Sequence, residues 1–214
     1  MPDAIPNLIT TILNSELIKW FANEIVQLWK ERQFHATYKT LYHHISIEMM
    51  DKRGKKVVYT KRQKLEFLQN GVFAVLDKAF GDGDIFAKYK CRPGTPVDKY
   101  REGLRWKILI ALRGTRNRGD QEELFIERTI HDGFLRTSEY WETFIDHPTQ
   151  ELKITAIFPQ SRLPKEIVVI EEQSKRIHKL SDEHMTILPH SKVQYQWQRM
   201  KPRLFDGYIL QWQW

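Results

Sequence analysis

The chain has 214 residues, of which 41% are hydrophobic and 12% are aromatic. This length suits one domain of generous size, and the large rings can fill a core, so wholesale disorder is excluded. The formal net charge of +7 favours encounter with anionic partners, but it does not choose among nucleic acid, nucleotides, acidic proteins and anionic lipid.

Signals for a membrane or for secretion are missing from the sequence. No apolar run approaches the roughly 18 residues that a membrane-spanning helix needs. The N-terminal Met1-Pro2-Asp3-Ala4 lacks the basic and apolar regions of a secretory signal. The single cysteine, Cys91, cannot form an internal disulfide, and we interpret it as an ordinary thiol although Lys90 and Arg92 flank it. These points predict a cytoplasmic protein without a membrane span.

Residues 1–35 are predicted to form a helical segment. From about Asn7 to Arg32, apolar residues recur at spacings of three and four, which is typical of one wide helical face. Pro6 fits a helix start, and Asn14-Ser15 could divide the segment into two helices. The helix is expected to pack on the sheet that follows, and packing on a partner subunit is the alternative.

From about Tyr38 the hydrophobic period changes to two, which predicts strands with one buried face. Turns at Gly54 and at Asn70-Gly71 should join the first three strands into an antiparallel meander. The predicted strands are residues 38–49, 55–68, 72–76, 85–89, 104–112, 123–130, 152–158, 167–170, 193–197 and 208–214.

Two stretches of residues 36–214 are expected to break this pattern. Residues 91–103 contain prolines and a glycine and should be irregular. Residues 137–144 should form a short helix, with Thr137 or Ser138 as its cap and Glu139 in its first turn. The predicted fold class is mainly β: an antiparallel sandwich or a barrel-like curved sheet, with the long N-terminal helix packed on it to make one structural unit. An α+β protein is the alternative.

Positive charge is concentrated in the predicted turns. If the fold brings these turns to one end, they form a positive rim that suits phosphate, because Arg forks and Lys point charges can approach it from loops. The alternative is that the lysines only keep sheet edges soluble. The candidate anion-binding residues are Lys52, Arg53, Lys55, Lys56, Arg113, Arg116, Arg118, Arg162 and Lys165.

Aromatic rings near these turns could add contacts if they are exposed. Exposed rings can stack nucleic-acid bases, although rings of this kind can equally fill the core. The rings nearest the basic turns are Tyr59, Tyr89, Trp106 and Trp197. Trp20, Trp29 and the C-terminal pair Trp212 and Trp214 could instead be exposed anchors for a protein partner.

Acidic and histidine-containing candidates are weaker. Asp77, Asp82 and Asp84 surround two glycines, but their spacing does not match a calcium loop, so a plain turn is favoured. His43 and His44 are adjacent on a strand, face opposite sides and cannot chelate one metal together. We therefore predict no metal site.

One set of charges is loosely similar to the metal-dependent nuclease arrangement of two carboxylates and a lysine. Asp146 precedes Glu151 and Lys153 at a strand start, where carboxylates could hold a metal and the lysine could orient water. The interval between the two carboxylates is short, and surface charges at strand ends are the preferred interpretation.

No Gly-x-Ser-x-Gly elbow, P-loop, dinucleotide-binding turn or His-Glu-x-x-His motif is present, and no catalytic residue is assigned. The sequence favours a non-enzymatic binding, sensor or adaptor module, without a cofactor, whose basic loops engage nucleic acid or a nucleotide. One alternative is a small-molecule receptor in which the curved sheet and the helix enclose an apolar pocket. The other is a metal-dependent phosphodiesterase or nuclease.

Overall fold

In the computed structural model, residues 36–214 are described. The helix predicted for residues 1–35 lies outside them, and so do Trp20 and Trp29. Between residues 36 and 214 the protein is mainly β, and its one helical segment is a 3-10 turn at Asp182–His184. In this part of the chain no helix has the length and apolar character needed to cross a lipid bilayer.

The described chain forms three sheets. The seven-stranded sheet has the order β12 (Met185–Leu188), β13 (Lys192–Met200), β9 (Glu151–Pro159), β1 (Tyr38–Met49), β2 (Lys56–Phe67), β7 (Gln121–His131) and β4 (Asp84–Arg92). The four-stranded sheet has the order β11 (Arg176–Lys179), β10 (Glu166–Glu171), β14 (Gly207–Gln213) and β8 (Ser138–Phe144). The three-stranded sheet has the order β3 (Val72–Ala79), β6 (Arg105–Arg116) and β5 (Thr95–Glu102). All three sheets are open, so residues 36–214 do not close into a barrel.

The first three strands do not form the predicted antiparallel meander. β1 and β2 pair antiparallel, but β2 then pairs with β7, whereas β3 crosses to another sheet and pairs with β6. β1 also pairs in parallel with β9, so the seven-stranded sheet is mixed rather than antiparallel. Gly71 adopts a positive φ of 77°, but the expected hairpin does not form, because the chain leaves the sheet there. Hydrophobic alternation sets which face is buried and does not choose the neighbouring strand.

The inner face of the seven-stranded sheet follows the period of two. In β2, Val57, Leu65 and Phe67 are fully buried and occupy alternate positions. Lys61 and Gln63 occupy two inward positions in the middle of the same strand and are also buried. The core of this sheet is therefore apolar at both ends of β2 and polar at its centre.

The two smaller sheets cover different parts of this inner face. The four-stranded sheet packs on it through aromatic rings, with Trp212 of β14 centred 5.8 Å from Phe158 of β9. The three-stranded sheet is joined to it by an ion pair of 2.6 Å between Lys61 of β2 and Asp77 of β3. β8 lies at the edge of the four-stranded sheet, and its Trp141 stacks on Tyr59 of β2 at 4.7 Å.

Residues 138–144 form a strand instead of the predicted short helix. β8 pairs along its whole length with β14, and Glu139, Trp141 and Thr143 alternate into the interior. The helix prediction relied on local capping residues. Pairing with β14 and burial of Trp141 act over the whole fold and outweigh that local preference.

Residues 91–103 are also more regular than predicted. β4 continues to Arg92, Pro93 and Gly94 make the turn, and β5 begins at Thr95. β5 is exposed along its whole length at the edge of its sheet, so it lacks the buried alternation that would reveal a strand. An edge position also tolerates Pro96, since an edge strand leaves some of its N–H groups unpaired.

The buried rings of β14 should contribute strongly to stability. Trp212 is 1% exposed and contacts the rings of Phe134, Phe158 and Trp214. Trp212→Ala should lower the free energy of unfolding by about 3–5 kcal/mol, because it leaves a large cavity between two sheets. The measurement is urea denaturation followed by tryptophan fluorescence. The matched control is Ile187→Ala, at a side chain that is 69% exposed, which should change stability by less than about 0.5 kcal/mol. Similar losses in both variants would contradict the packing described here.

Candidate functional site

Four cations project from the turn between β1 and β2. Here they are called the hairpin cations: Lys52, Arg53, Lys55 and Lys56. All four are exposed, and none has an ion-pair partner within residues 36–214. They are therefore free to contact an external anion.

Asp51 and Gly54 fix the backbone of this turn. One carboxylate oxygen of Asp51 accepts the N–H of Arg53 at 2.7 Å, and the other accepts the N–H of Lys56 at 2.8 Å. Burial alone would raise the pKa of Asp51, but its hydrogen bonds from the backbone outweigh burial and hold the pKa below its ordinary value. Gly54 has a φ of 72°, and a Cβ there would collide with the carbonyl oxygen of Phe134. The backbone of the turn is therefore fixed by these contacts, and the cationic side chains are exposed to solvent.

The loop between β9 and β10 places Arg162 and Lys165 on the same edge of the fold. Since β1 and β9 are parallel, their C-terminal ends meet at this edge. Nη1 of Arg162 donates to the carbonyl oxygen of Lys52 at 2.6 Å, and its guanidinium lies 3.8 Å from the centre of the Trp214 ring. Arg162 therefore links the hairpin to the C-terminal strand, whereas Lys165 is exposed and has no ion pair in the described chain.

The three remaining candidates, Arg113, Arg116 and Arg118, lie at the opposite end of β2. Arg113 and Arg116 lie at the end of β6, and Arg118 lies in the turn that follows. This turn is held beside β2 because the N–H of Gly119 donates to the carbonyl oxygen of Phe67 at 2.8 Å. Nε of Arg116 donates to the Glu122 carboxylate at 2.8 Å, so this charge is already paired. Arg113 and Arg118 are exposed.

The nine cations consequently do not form the single rim that the sequence suggested. The 12 residues of β2 separate the two ends of the sheet. At roughly 3.3 Å per residue the separation is about 36 Å, several times the screening length of about 8 Å in physiological salt. Six candidates share one edge, and the other three form a separate group.

The aromatic candidates are mostly unavailable for stacking. Tyr59 and Trp197 are buried in the core, while Tyr89 and Trp106 are half-buried. The C-terminal rings are buried as well: Trp212 is 1% exposed and Trp214 is 9% exposed. The prediction that this C-terminal pair forms exposed interface anchors is therefore wrong, because both rings fill space between sheets.

The nuclease-like set is not brought together. Asp146 lies at the inner face of the sheet, near His43. Glu151 contacts Nε2 of His44 at 2.7 Å, and Lys153 lies 4.0 Å from Glu151. Because neighbouring residues of a strand face opposite sides, His43 and His44 mark the two faces, and the three charges are divided between them. No group of three His, Cys, Asp or Glu residues in the described range is placed to hold a metal ion.

A second candidate site lies inside the protein, where the three sheets meet. This inter-sheet cavity has a volume of about 80 Å³. Its walls come from β1, β2 and β7 of the seven-stranded sheet, from β3 and β6 of the three-stranded sheet, and from β8. Rings such as Tyr59, Trp141 and Phe144 line it together with several charged side chains.

Asp77 is the buried carboxylate next to this cavity. Its Oδ1 accepts a hydrogen bond from Lys61 at 2.6 Å, and its Oδ2 accepts one from the Tyr89 hydroxyl at 3.2 Å. Burial alone would raise the pKa of Asp77, but the nearby charges of Lys61 and Arg128 and these hydrogen bonds hold it below its ordinary value. Burial alone would likewise lower the pKa of Lys61, and Asp77 outweighs this and raises it. Both groups are therefore charged at neutral pH.

Arg128 of β7 is the most deeply buried cation of the cavity wall, with 1% of its surface exposed. Its guanidinium lies 4.2 Å from the centre of the Tyr59 ring and 5.7 Å from that of Trp141. Its Nε and Nη1 atoms have no hydrogen-bond partner, and no carboxylate within residues 36–214 forms an ion pair with it. The aromatic faces stabilise the charge only in part, because they do not satisfy its N–H donors.

Two further cavity-lining atoms are buried and unpaired: Nε2 of His43 and Oγ1 of Thr143. Burial, followed by the charge of Lys61, lowers the pKa of His43 to about 3. His43 is therefore neutral near pH 7 and can present one N–H. Asp146, which also lines the cavity, bonds Lys78 at 2.6 Å and His147 at 2.9 Å. Burial alone would raise the pKa of Asp146, but His147 and Lys78 outweigh it and depress the pKa strongly.

The sequence contains a signal for burial of Arg128. Arg128 is in phase with the apolar residues Leu124, Ile126 and Ile130 of the same strand. A cation at an inward position of an amphipathic strand indicates a buried charge rather than a solvated one. Thr143 carried no comparable signal, because its segment was predicted to be helical.

The Asp77 carboxylate can be tested by removing its charge. Asp77→Asn leaves Lys61 in the interior without its counter-ion, so we expect a loss of about 3–5 kcal/mol of unfolding free energy at pH 7. Urea denaturation measures it. The control is Asp82→Asn, which breaks an exposed ion pair with Arg136 and should cost less than about 1 kcal/mol. Equal, small losses in both variants would show that Asp77 acts as an ordinary surface charge.

The buried imidazole predicts a specific pH dependence. The unfolded chain binds a proton at His43 as the pH falls below about 6.5, whereas the folded protein does not until about pH 3. The free energy of unfolding should therefore fall as the pH falls from about 6.5 towards about 3. In His43→Gln the dependence of this free energy on pH should be weaker by up to about 1.4 kcal/mol per pH unit. Denaturation series between pH 7 and pH 4 provide the test. An unchanged slope in His43→Gln would refute the assignment.

Comparison with known proteins adds information about the fold only. No protein-family model and no curated protein matches the chain. A "putative protease" from Parabacteroides distasonis ATCC 8503 is similar in structure, with a TM-score of 0.52, 8% identity, and coverage of 83% of this chain and 40% of that one. The M1 zinc metallopeptidase from Deinococcus radiodurans (TM-score 0.48, 7% identity) is matched over 81% of this chain and 42% of its own. Aminopeptidase A from Legionella pneumophila, in complex with aspartic acid, has a TM-score of 0.47 and 12% identity. The match covers 84% of this chain and 22% of that one.

The similarity to these solved structures concerns only part of each of them. The chain spans less than half the length of each of them. At such low identity the Parabacteroides structure shows a shared fold and nothing about activity, and the two lower scores support no conclusion. The described residues thus adopt a fold that also occurs as part of a larger protein.

Proposed function

We propose that this protein is a non-enzymatic binding module that engages nucleic acid through the hairpin cations and Lys165. The observation that carries the proposal is their placement: five exposed cations on one edge of the fold, none with an ion pair in the described chain. Such an edge can neutralise several phosphates at once, and the release of counterions from the nucleic acid then favours binding.

The surroundings of the hairpin cations support this role. The carboxylate of Asp51, on the same turn, accepts hydrogen bonds from backbone N–H groups and does not form an ion pair with the hairpin cations. Arg162 already contacts the carbonyl oxygen of Lys52 and the ring of Trp214, so we assign it a structural role and do not count it among the phosphate-binding cations. The candidate rings Tyr59 and Trp197 are buried and cannot stack on bases. We therefore expect contact with phosphates and little preference for sequence.

Fluorescence anisotropy with a labelled 20-base-pair duplex, titrated at several KCl concentrations, tests the proposal. Contact between five cations and five phosphates predicts that the logarithm of the binding constant falls with the logarithm of salt with a slope of about −4.5. The variant Lys52→Gln/Arg53→Gln should weaken binding and make the slope shallower by about 2, because each phosphate contact contributes about one unit.

The matched control is Arg113→Gln/Arg118→Gln, which removes two exposed cations at the opposite end of β2. This variant changes net charge equally and should leave affinity and slope near the wild-type values. Equal effects of the two double variants would show that only total charge matters and would overturn the assignment to the hairpin edge. If ATP displaced the duplex at matched ionic strength, and the logarithm of the binding constant fell with the logarithm of salt with a slope of only about −2 or shallower, the partner would be a nucleotide instead.

A receptor for a small molecule is a second candidate function, and the inter-sheet cavity is the observation that favours it. This cavity differs from the apolar pocket expected beneath the N-terminal helix, because its walls come from three sheets and carry Lys61, Arg128 and Asp146. We therefore propose a polar ligand for the receptor alternative.

A further inference from the structure

We infer that the inter-sheet cavity binds the carboxylate group of a small organic acid, with Arg128 as its counter-ion. This inference deepens the receptor alternative and does not depend on nucleic-acid binding at the hairpin edge. It starts from an unusual concentration of unsatisfied polar atoms. Of the seven buried side-chain atoms without a hydrogen-bond partner in the described chain, four line this cavity: Nε and Nη1 of Arg128, Nε2 of His43 and Oγ1 of Thr143.

The charge of the cavity is unbalanced by one positive unit. Lys61 is paired with Asp77 at 2.6 Å, Lys78 with Asp146 at 2.6 Å, and Arg105 with Glu142 at 3.1 Å. Arg128 is the remaining cation of the wall, and it has no such partner among residues 36–214. Arginine cannot lose its proton in a protein, so burial cannot neutralise it as it can neutralise lysine. A singly charged anion supplies the charge that is missing.

Water alone satisfies only part of this requirement. Ordered water can bond to unpaired donors in a polar cavity, but it carries no net charge. By the same measure of volume, one water needs about 10–15 Å³, so a cavity of about 80 Å³ admits a group of several non-hydrogen atoms. A carboxylate has this size, carries one negative charge and accepts hydrogen bonds at both oxygens.

The remaining wall agrees with an organic acid. Tyr59 and Trp141 form an aromatic surface next to the guanidinium, and Phe144 lines the cavity near Thr143. These faces can contact a short apolar tail while Arg128, His43 and Thr143 donate to the oxygens. A phosphate monoester would bring up to two negative charges to a wall with one uncompensated positive charge, so a carboxylate fits better.

The experiment uses the full chain, dialysed into a chloride buffer free of carboxylates. Thermal unfolding and isothermal titration calorimetry are then compared for propionate, its neutral amide propionamide, and inorganic phosphate, all at constant ionic strength. Propionate should raise the melting temperature by about 5 °C or more at a hundredfold excess over its Kd, and propionamide should not.

Two variants locate the effect. Thr143→Val removes one hydroxyl donor at nearly constant volume and should weaken propionate binding about 2- to 12-fold. Arg128→Met should weaken it about 10- to 150-fold and, without ligand, should be at least as stable as the wild type, because an unpaired buried charge is gone. Arg113→Met, an exposed arginine at the far end of the fold, should bind propionate normally.

Four other outcomes overturn the inference, and a fifth supports it by separating it from nucleic-acid binding. Equal stabilisation by propionate and propionamide would retain the receptor and reject the charge requirement. Stabilisation by phosphate alone would assign the cavity to phosphate. No response to any of the three would reject both the receptor and the carboxylate. If Arg128→Met does not fold, an unchanged affinity in Thr143→Val is sufficient to reject the site. Loss of duplex binding in Lys52→Gln/Arg53→Gln, with a normal propionate response, would separate the two functions.

Discussion

The carboxylate of Asp77 is buried between the three-stranded and the seven-stranded sheet, and the arrangement of the interior depends on it. Its oxygens bond Lys61 on β2 and Tyr89 on β4, so one residue of the three-stranded sheet is tied to two strands of the seven-stranded sheet. A buried carboxylate is tolerated only when its charge and its oxygen atoms are satisfied, and these three groups satisfy each other. This constraint holds the smaller sheet at a fixed position against the larger one.

With the sheets held in this position, a cavity remains in the interior beside the Lys61–Asp77 ion pair. Apolar side chains could have filled the junction of three sheets, but the inward positions of β1, β2 and β7 carry His43, Lys61 and Arg128 instead. Their polar ends need partners, and Asp77 serves only one of them by a direct bond. Asp77 forms no ion pair with the neighbouring Arg128, whose Nε and Nη1 atoms have no hydrogen-bond partner, so one positive charge of the cavity wall lacks a direct counter-ion.

Alternation along the strands was sufficient to predict a mainly β protein, because burial of one face repeats every two residues in β2, β6, β7, β9 and β14. It could not predict that β3 leaves β2 for another sheet, since pairing depends on distant segments. The basic turns were visible, but their division between two ends required the register of β2 and β7. The cavity was partly visible: Lys61 and Arg128 are both in phase with apolar neighbours, and adjacent strands carry them.

The two groups of surface cations, one at each end of β2, lie about 36 Å apart and form two separate positive poles. Ionic strength decides whether these poles act together. In dilute salt of about 0.01 M, where the screening length is about 30 Å, their fields overlap. In physiological salt, where it is about 8 Å, each pole attracts anions by itself.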